Sequence, residues 1–242
     1  MNFVAMKKPK KIGILGGMGP EATLCLYNLI IKNTKASKDQ DHIPVIINAN
    51  PLIPDRTLHI VYNRESPLPY LQEEASILMS AGADMIIIAC NTAHYYIDEI
   101  AQVVDIPVLN MIDLTSSYIS SRENGADGVR VGILATTGTI NTALYQNSLI
   151  KSGFTPLIPE GEDQERLVME AVYGTKGVKA GYKRGAKLLL KEAAAKLEQR
   201  GAKYIIAGCT EIPIVLTNRD IDSTLVNSME ILAVEAIKRA KM

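Results

Sequence analysis

Cysteine is scarce in this chain: Cys25, Cys90 and Cys209 are the three present among 242 residues. Three thiols cannot all pair, and no two stand at C-x-x-C or metal-finger spacing. That spacing argues against a disulfide scaffold and against a structural zinc site. In a reducing compartment all three stay free thiols. An excess of one charge is missing too. Lysine and arginine number 26, as do aspartate and glutamate, which points away from nucleic acid and anionic membranes as partners. Long apolar runs are absent. MIIIAC and YIIAG fall far short of the ~20 residues that span a bilayer. The N-terminal MNFVAMKKPKK is basic but has no apolar segment before a small-residue cleavage site. No signal peptide is read there, and a cytoplasmic location is expected.

What is present is the balance of an ordinary globular protein, 47% apolar and 21% charged, long enough for one large domain or two small ones. Short runs rich in Ile and Val, bounded by turn residues, read as buried strands at 11–15, 44–48, 84–89, 107–110, 130–135 and 203–208. Helical patterns lie between them at 20–33, 67–81, 92–104, 113–122, 139–152 and 183–201. Strand and helix alternate throughout, which predicts a parallel α/β architecture.

Two phrases repeat. GADMIIIACNT at 82–92 and GAKYIIAGCTE at 201–211 each run from Gly-Ala through an apolar stretch to a cysteine and a polar pair. Gly13 and Gly132, Gly82 and Gly201, and Cys90 and Cys209 all share an offset of 119. VLNMID at 108–113 echoes LVNSME at 225–230 with an offset of 117. The expected fold is therefore α/β with two pseudo-symmetric lobes, each a parallel β-sheet flanked by helices. Ligands of such sheets bind outside the C-terminal strand ends, where each repeated cysteine falls. An active site in the inter-lobe cleft follows, with Cys90 and Cys209 on opposite walls.

Two facing thiols suit one kind of chemistry. Inverting a carbon centre by proton transfer needs one group to take a proton from one face and another to return one to the other face. Thiols can be tuned toward neutrality for both tasks. Asn91-Thr92 and Thr210-Glu211 follow the cysteines where helices are expected to begin, and free N–H groups there would favour a thiolate or a bound carboxylate. Cys25, at helical spacing in TLCLYNLI, reads as core filler. The glycine-rich GILGGMGPEA permits a rival reading, since Gly17, Gly19 and Ala22 fit a dinucleotide fingerprint. The second strand ends in Asn rather than an acid, Pro20 lacks an N–H, and no G-K-[ST] follows. A tight turn forming part of a cleft wall is the better reading.

With GGMGP, ACNTAH and GCTE in place, the sequence resembles the cofactor-independent aspartate/glutamate racemase family, and its aspartate racemase branch in particular. IGILGGMGPEAT, IPDRT, LATTGT and GVKAG extend the likeness along nearly the whole chain. Glutamate racemases usually carry Asp-Ser after the first strand and Gly-Cys-Thr-His at the second cysteine; this chain has Gly-Met and Gly-Cys-Thr-Glu. The resemblance implies an isomerase without pyridoxal phosphate or any other cofactor, a small-molecule substrate and a homodimer. It implies lobes of 1–112 with 226–242 and of 113–225, the C-terminal helix returning to the first. Cys90 and Cys209 would be the acid/base thiols. Asn91, Thr92 and Thr210, with the backbone near Met18 and Thr137, would hold the α-carboxylate and amino group. Arg56 and Lys179 would face the second carboxylate, for which a bidentate fork and a point charge are suited. Glu211 would orient the second thiol or accept the substrate ammonium. His94, one helical turn after Cys90, reads as structural, and Asp55 and Thr57 as turn residues that position Arg56. The alternatives are a glutamate or broad-specificity racemase, a sister decarboxylase or isomerase, and a non-catalytic dicarboxylate-binding protein.

Overall fold

Seven strands form two all-parallel sheets among the described residues of this computed structural model, which are 9–123, 125 and 127–242. The first eight residues, which include most of the basic N-terminal segment, lie outside that range, as do 124 and 126 of the second lobe. The first sheet contains β1 (Ile12–Gly16), β2 (Val45–Ala49) and β3 (Met85–Ile88) in the order β2-β1-β3. The second contains β4 (Arg130–Ala135), β5 (Thr155–Leu157), β6 (Ala202–Gly208) and β7 (Thr224–Asn227) in the order β5-β4-β6-β7.

The sheets repeat one another in register. Gly13 faces Ile86 in the first and Gly132 faces Ile205 in the second, positions 119 apart in both strands. The strand expected at 107–110 is reduced to a single bridge, Ile86 to Val108, where the second sheet has β7 paired at Ile205 and Leu225. Strands β1, β3, β4 and β6 are buried on both faces, as in parallel sheets connected by crossover helices, while the edge strands β2 and β5 are partly exposed. Ile12, Ile14, Met85 and Ile87 share a cluster with Leu26, Ile30, Met229 and Leu232, while Leu15, Ile86 and Ile88 pack on Leu71 and Leu78. In the second lobe Ile205 and Ala207 meet Leu190, Ala194 and Leu197 on one face, and Val131, Ile133 and Ile206 meet Ile112, Ile119 and Tyr145 on the other. The C-terminal helix Ser228–Ala240 thus packs on the helix Pro20–Asn33 of the first lobe.

Two helical expectations are corrected. The pattern at 139–152 splits into Thr137–Asn141 and Leu144–Lys151, because Ala143 takes a left-handed conformation with φ 53°. The stretch 92–104 opens as a 3₁₀ turn, Thr92–Tyr96, followed by a short helix, Ile97–Ala101. No helix among the described residues is long and apolar enough to cross a membrane.

Candidate active site

Each repeated cysteine sits where its strand runs out at the C-terminal end. Cys90 comes two residues after β3 and Cys209 immediately after β6, and both are buried. Cys25 lies half-buried on the helix Pro20–Asn33, beside the first-lobe core. The two buried sulfurs share one electrostatic neighbourhood, since both act on the Lys179 ammonium and on the Tyr173 hydroxyl.

Arg56 stands against Cys90. Asp55 caps the helix Arg56–Tyr62 by accepting from Leu58 N–H at 2.9 Å, which starts the helix with Arg56 turned inward. The guanidinium donates to Ile53 O at 3.3 Å and Pro54 O at 3.0 Å through Nη1, and to Met18 O at 3.4 Å through Nη2. It is 6% exposed and has no carboxylate partner among its hydrogen bonds, and its Nε has no acceptor. Burial works against its charge, yet Cys90, Tyr173 and Asp55 outweigh that and raise its pKa. The loop before it is braced by Glu74, a buried carboxylate to which Asn48 and Asn50 both donate.

Cys209 has a different setting. Its Sγ donates to Glu211 Oε2 at 3.0 Å, Thr210 Oγ1 donates to the same oxygen at 3.0 Å, and Lys179 Nζ donates to Oε1 at 2.7 Å. Lys179 also lies over the Tyr173 ring at 5.2 Å. Burial opposes the Glu211 charge, but Lys179 and the Cys209 and Thr210 hydrogen bonds prevail and hold its pKa below the usual range. Burial first, and the Glu211 charge second, push the Cys209 thiol well up.

The lobes meet around these groups. A Cβ built on Gly19 would stand 3.6 Å from both Lys179 Nζ and Glu211 Oε1, so the glycine-rich turn of the first lobe faces the ion pair of the second. Gly17, at φ 92°, has its N–H taken up by Thr23 Oγ1 at 2.9 Å. Thr92, Thr136 and Thr139 close a buried hydroxyl triangle with sides of 2.9, 2.9 and 3.1 Å. Asn91 Oδ1 accepts from Tyr145 OH and from Ser228 Oγ, while its buried Nδ2 has no acceptor. Tyr173 OH donates to Asp55 Oδ2 at 3.0 Å and bridges the lobes beside a cavity of about 310 Å³ lined by Asp55, Thr57, Thr137 and Tyr173 among others. The larger groove of about 600 Å³ between Met111–Ser120 and Ser228–Ala240 has neither buried cysteine in its lining.

A sequence model of Asp/Glu/hydantoin racemases matches residues 15–236. The chain belongs to that family. Among solved structures similar to this racemase-family member is the aspartate racemase of Picrophilus torridus, 29% identical, covering 96% of this chain and 94% of that one at a TM-score of 0.83. An aspartate racemase homologue from Pyrococcus horikoshii is 26% identical over 96% of this chain and 100% of its own, at a TM-score of 0.75. The broad specificity amino-acid racemase RacX of Bacillus subtilis is 27% identical over 92% of this chain and 94% of its own.

Of the residues expected at the site, Met18, Arg56, Cys90, Lys179, Cys209, Thr210 and Glu211 converge through the contacts above. Asn91 and Thr92 are buried beside Cys90 but cap no helix with their side chains. Cys90 is followed by the 3₁₀ turn Thr92–Tyr96, which runs on into Ile97–Ala101, and Cys209 by the four-residue Ile212–Val215. Arg56 and Lys179 bring two cations to the same region. Thr137 turns its hydroxyl to Glu165 and its N–H to Met169 Sδ at 3.3 Å. His94 Nδ1–H donates to Cys90 O at 2.8 Å; burial lowers its pKa, and it braces the strand end. Sequence reasoning missed Thr136, Thr139, Tyr145, Tyr173 and Ser228. Thr136 left a local signal, since it follows β4 and caps the next turn by accepting from Thr139 N–H. Thr139 reaches Thr92 across 47 residues, and Tyr145, Tyr173 and Ser228 are joined to the site across more than fifty residues of chain.

Proposed function

We propose that this protein interconverts L- and D-aspartate, with Cys90 and Cys209 taking and returning the Cα proton on opposite faces. The observation that carries the reading is a pair of buried strand-end thiols that both act on Lys179 and Tyr173, with the Arg56 guanidinium beside Cys90 and Glu211, paired to Lys179, beside Cys209. One sulfur takes the Cα proton while the other delivers its own to the far side, so the centre inverts without a net gain or loss of protons. The Cα–H beside a carboxylate is a weak acid, and the charge that develops must be met by fixed donors in a dry site. Buried donors lacking acceptors, Arg56 Nε and Asn91 Nδ2, suit the oxygens of a dicarboxylate.

The test is incubation of the purified protein with L-aspartate, without added pyridoxal phosphate, followed by chiral chromatography. D-Aspartate accumulating toward an equal mixture supports the proposal. Consumption of aspartate to another product, or binding without inversion, refutes it.

One observation favours a second reading, broader specificity. Lys179 is already paired with Glu211 at 2.7 Å, which leaves Arg56 as the cation free of a carboxylate partner for the second substrate carboxylate. Comparable rates with amino acids that lack this carboxylate, retained in Arg56→Ala, select that reading.

A further inference from the structure

Around Cys209 the hydrogen must come from sulfur. Its Sγ lies 3.0 Å from Glu211 Oε2, and an ionised carboxylate can only accept. The same oxygen takes the Thr210 hydroxyl, and the other oxygen is occupied by Lys179 at 2.7 Å. Cysteine and glutamate are both about 5% exposed or less, so water does little to screen them. A thiolate at this position would meet the carboxylate with no hydrogen between them. Among the described residues no hydrogen bond joins Cys90 Sγ to a carboxylate, and the sulfur acts on the Arg56 guanidinium. The other titratable groups around the two thiols and Glu211 include the hydroxyls of Tyr173, Tyr145 and Tyr96, the His94 imidazole on the Cys90 carbonyl, and Cys25 on the helix Pro20–Asn33.

We infer that Glu211, anchored by Lys179, is a positioning residue that keeps the proton on Cys209, so that the free protein holds Cys209 ready as proton donor and leaves Cys90 to accept first. The inference rests on the two-thiol reading of the reaction. In the first turnover the Cα–H bond breaks and its proton goes to the Cys90 sulfur, while the Cys209 S–H bond breaks and its proton forms the new Cα–H bond. Glu211 remains a carboxylate throughout. The form left behind carries its charge on Cys209, opposite Glu211, and returns to the starting state by proton exchange with water. Enantiomers are equal in energy, so kcat/KM must be the same in both directions whatever the resting state. The asymmetry is therefore read on the thiol itself.

The experiment uses Cys25→Ala/Cys90→Ala protein, which leaves Cys209 as the one thiol. Its thiolate is followed against pH by ultraviolet absorbance and by the rate of alkylation with iodoacetamide, scored by intact mass. A charge this close moves a titration by about 1–3 pH units. Adding Glu211→Gln is expected to lower the midpoint by about one pH unit or more. At a pH below both midpoints that raises the thiolate about tenfold and alkylation about threefold, because a less basic sulfur is also a weaker nucleophile. Glu211→Asp restores the midpoint toward that of the parent. Lys179→Met, which leaves the carboxylate unpaired, moves it the other way or leaves no thiolate in the accessible range. A merely structural role for the pair would not produce opposite shifts. An unchanged or raised midpoint in Glu211→Gln overturns the inference. If that variant does not fold, an unchanged or lowered midpoint in Lys179→Met does so. The titration needs no turnover, so absent D-aspartate in the wild-type assay would refute the racemase reading without touching this result.

Discussion

Replacing Lys179 by Met tests the electrostatics of the site through folding stability. Lys179 Nζ meets Glu211 Oε1 at 2.7 Å, with side-chain exposures of 25% and 5%. Removing one partner of a fully buried pair costs about 3–5 kcal/mol, and the partial exposure of Lys179 brings the expected loss down to about 2–3 kcal/mol. The carboxylate has one escape, which is to take a proton. For a carboxyl with an ordinary pKa of about 4.3, neutralisation costs about 1 kcal/mol at pH 5 and about 5 kcal/mol at pH 8. The penalty is thus capped near about 1 kcal/mol at pH 5 and reaches its full value at pH 8. In the parent protein Glu211 lies below its ordinary pKa, so its contribution is present above about pH 4.3 and lost as pH falls through the folded value. In Lys179→Met the sign reverses, and stability falls as pH rises. Urea unfolding of parent, Lys179→Met and Lys179→Met/Glu211→Gln at pH 5 and pH 8 measures this. The double variant is expected to regain about 2 kcal/mol over the single at pH 8. An equal loss for the single variant at both pH values, or no regain in the double, refutes the reasoning.

Cys90→Ala and Cys209→Ala are each expected to lower kcat by at least about a hundredfold, the low end of what acid/base groups contribute, whereas Cys25→Ala stays within about twofold; chiral assays of D-aspartate check this. Gly17→Ala places a Cβ 2.3 Å from the Asn50 backbone at a φ of 92°, and a loss above about 3 kcal/mol is expected in thermal or urea unfolding. Burial keeps His94 neutral, so stability is expected to fall as pH drops below about 6.5, where the unfolded chain takes up the proton first. His94→Gln flattens that part of the urea-midpoint profile between pH 7 and pH 5, at a cost of about 1 kcal/mol for the altered bond to Cys90 O.

The lobes were legible because their signal is periodic and local. The strands around Gly13, Ile86, Gly132 and Ile205 are short apolar runs closed by turn residues, and their common offset reappears as matching register in the two sheets. The strand end at each cysteine followed from the same pattern. What stayed hidden depends on distance or on competition between local forces. PVLN has the composition of a strand, but in the sheet it makes one bridge, at Val108. The helical pattern across 139–152 carries no proline or glycine at its break, and the left-handed Ala143 leaves no mark in the periodicity. Arg56 and Lys179 were found by likeness to a family. Their different partners, backbone carbonyls for one and Glu211 for the other, required three dimensions. Tyr173 reaches Asp55 across 118 residues, and Tyr145 reaches Asn91 across 54; no spacing rule connects them.

Deuterium placement separates two-sided proton transfer from every one-sided alternative. With L-aspartate in D2O, stopped while most substrate remains, mass spectrometry of the separated enantiomers is expected to find deuterium at Cα of the D-aspartate formed and almost none in the recovered L-aspartate. Deuterium entering the recovered L-aspartate as fast as the product, or D-aspartate that keeps its original hydrogen, would mean that one group serves both faces, and the opposed roles of Cys90 and Cys209 would be contradicted.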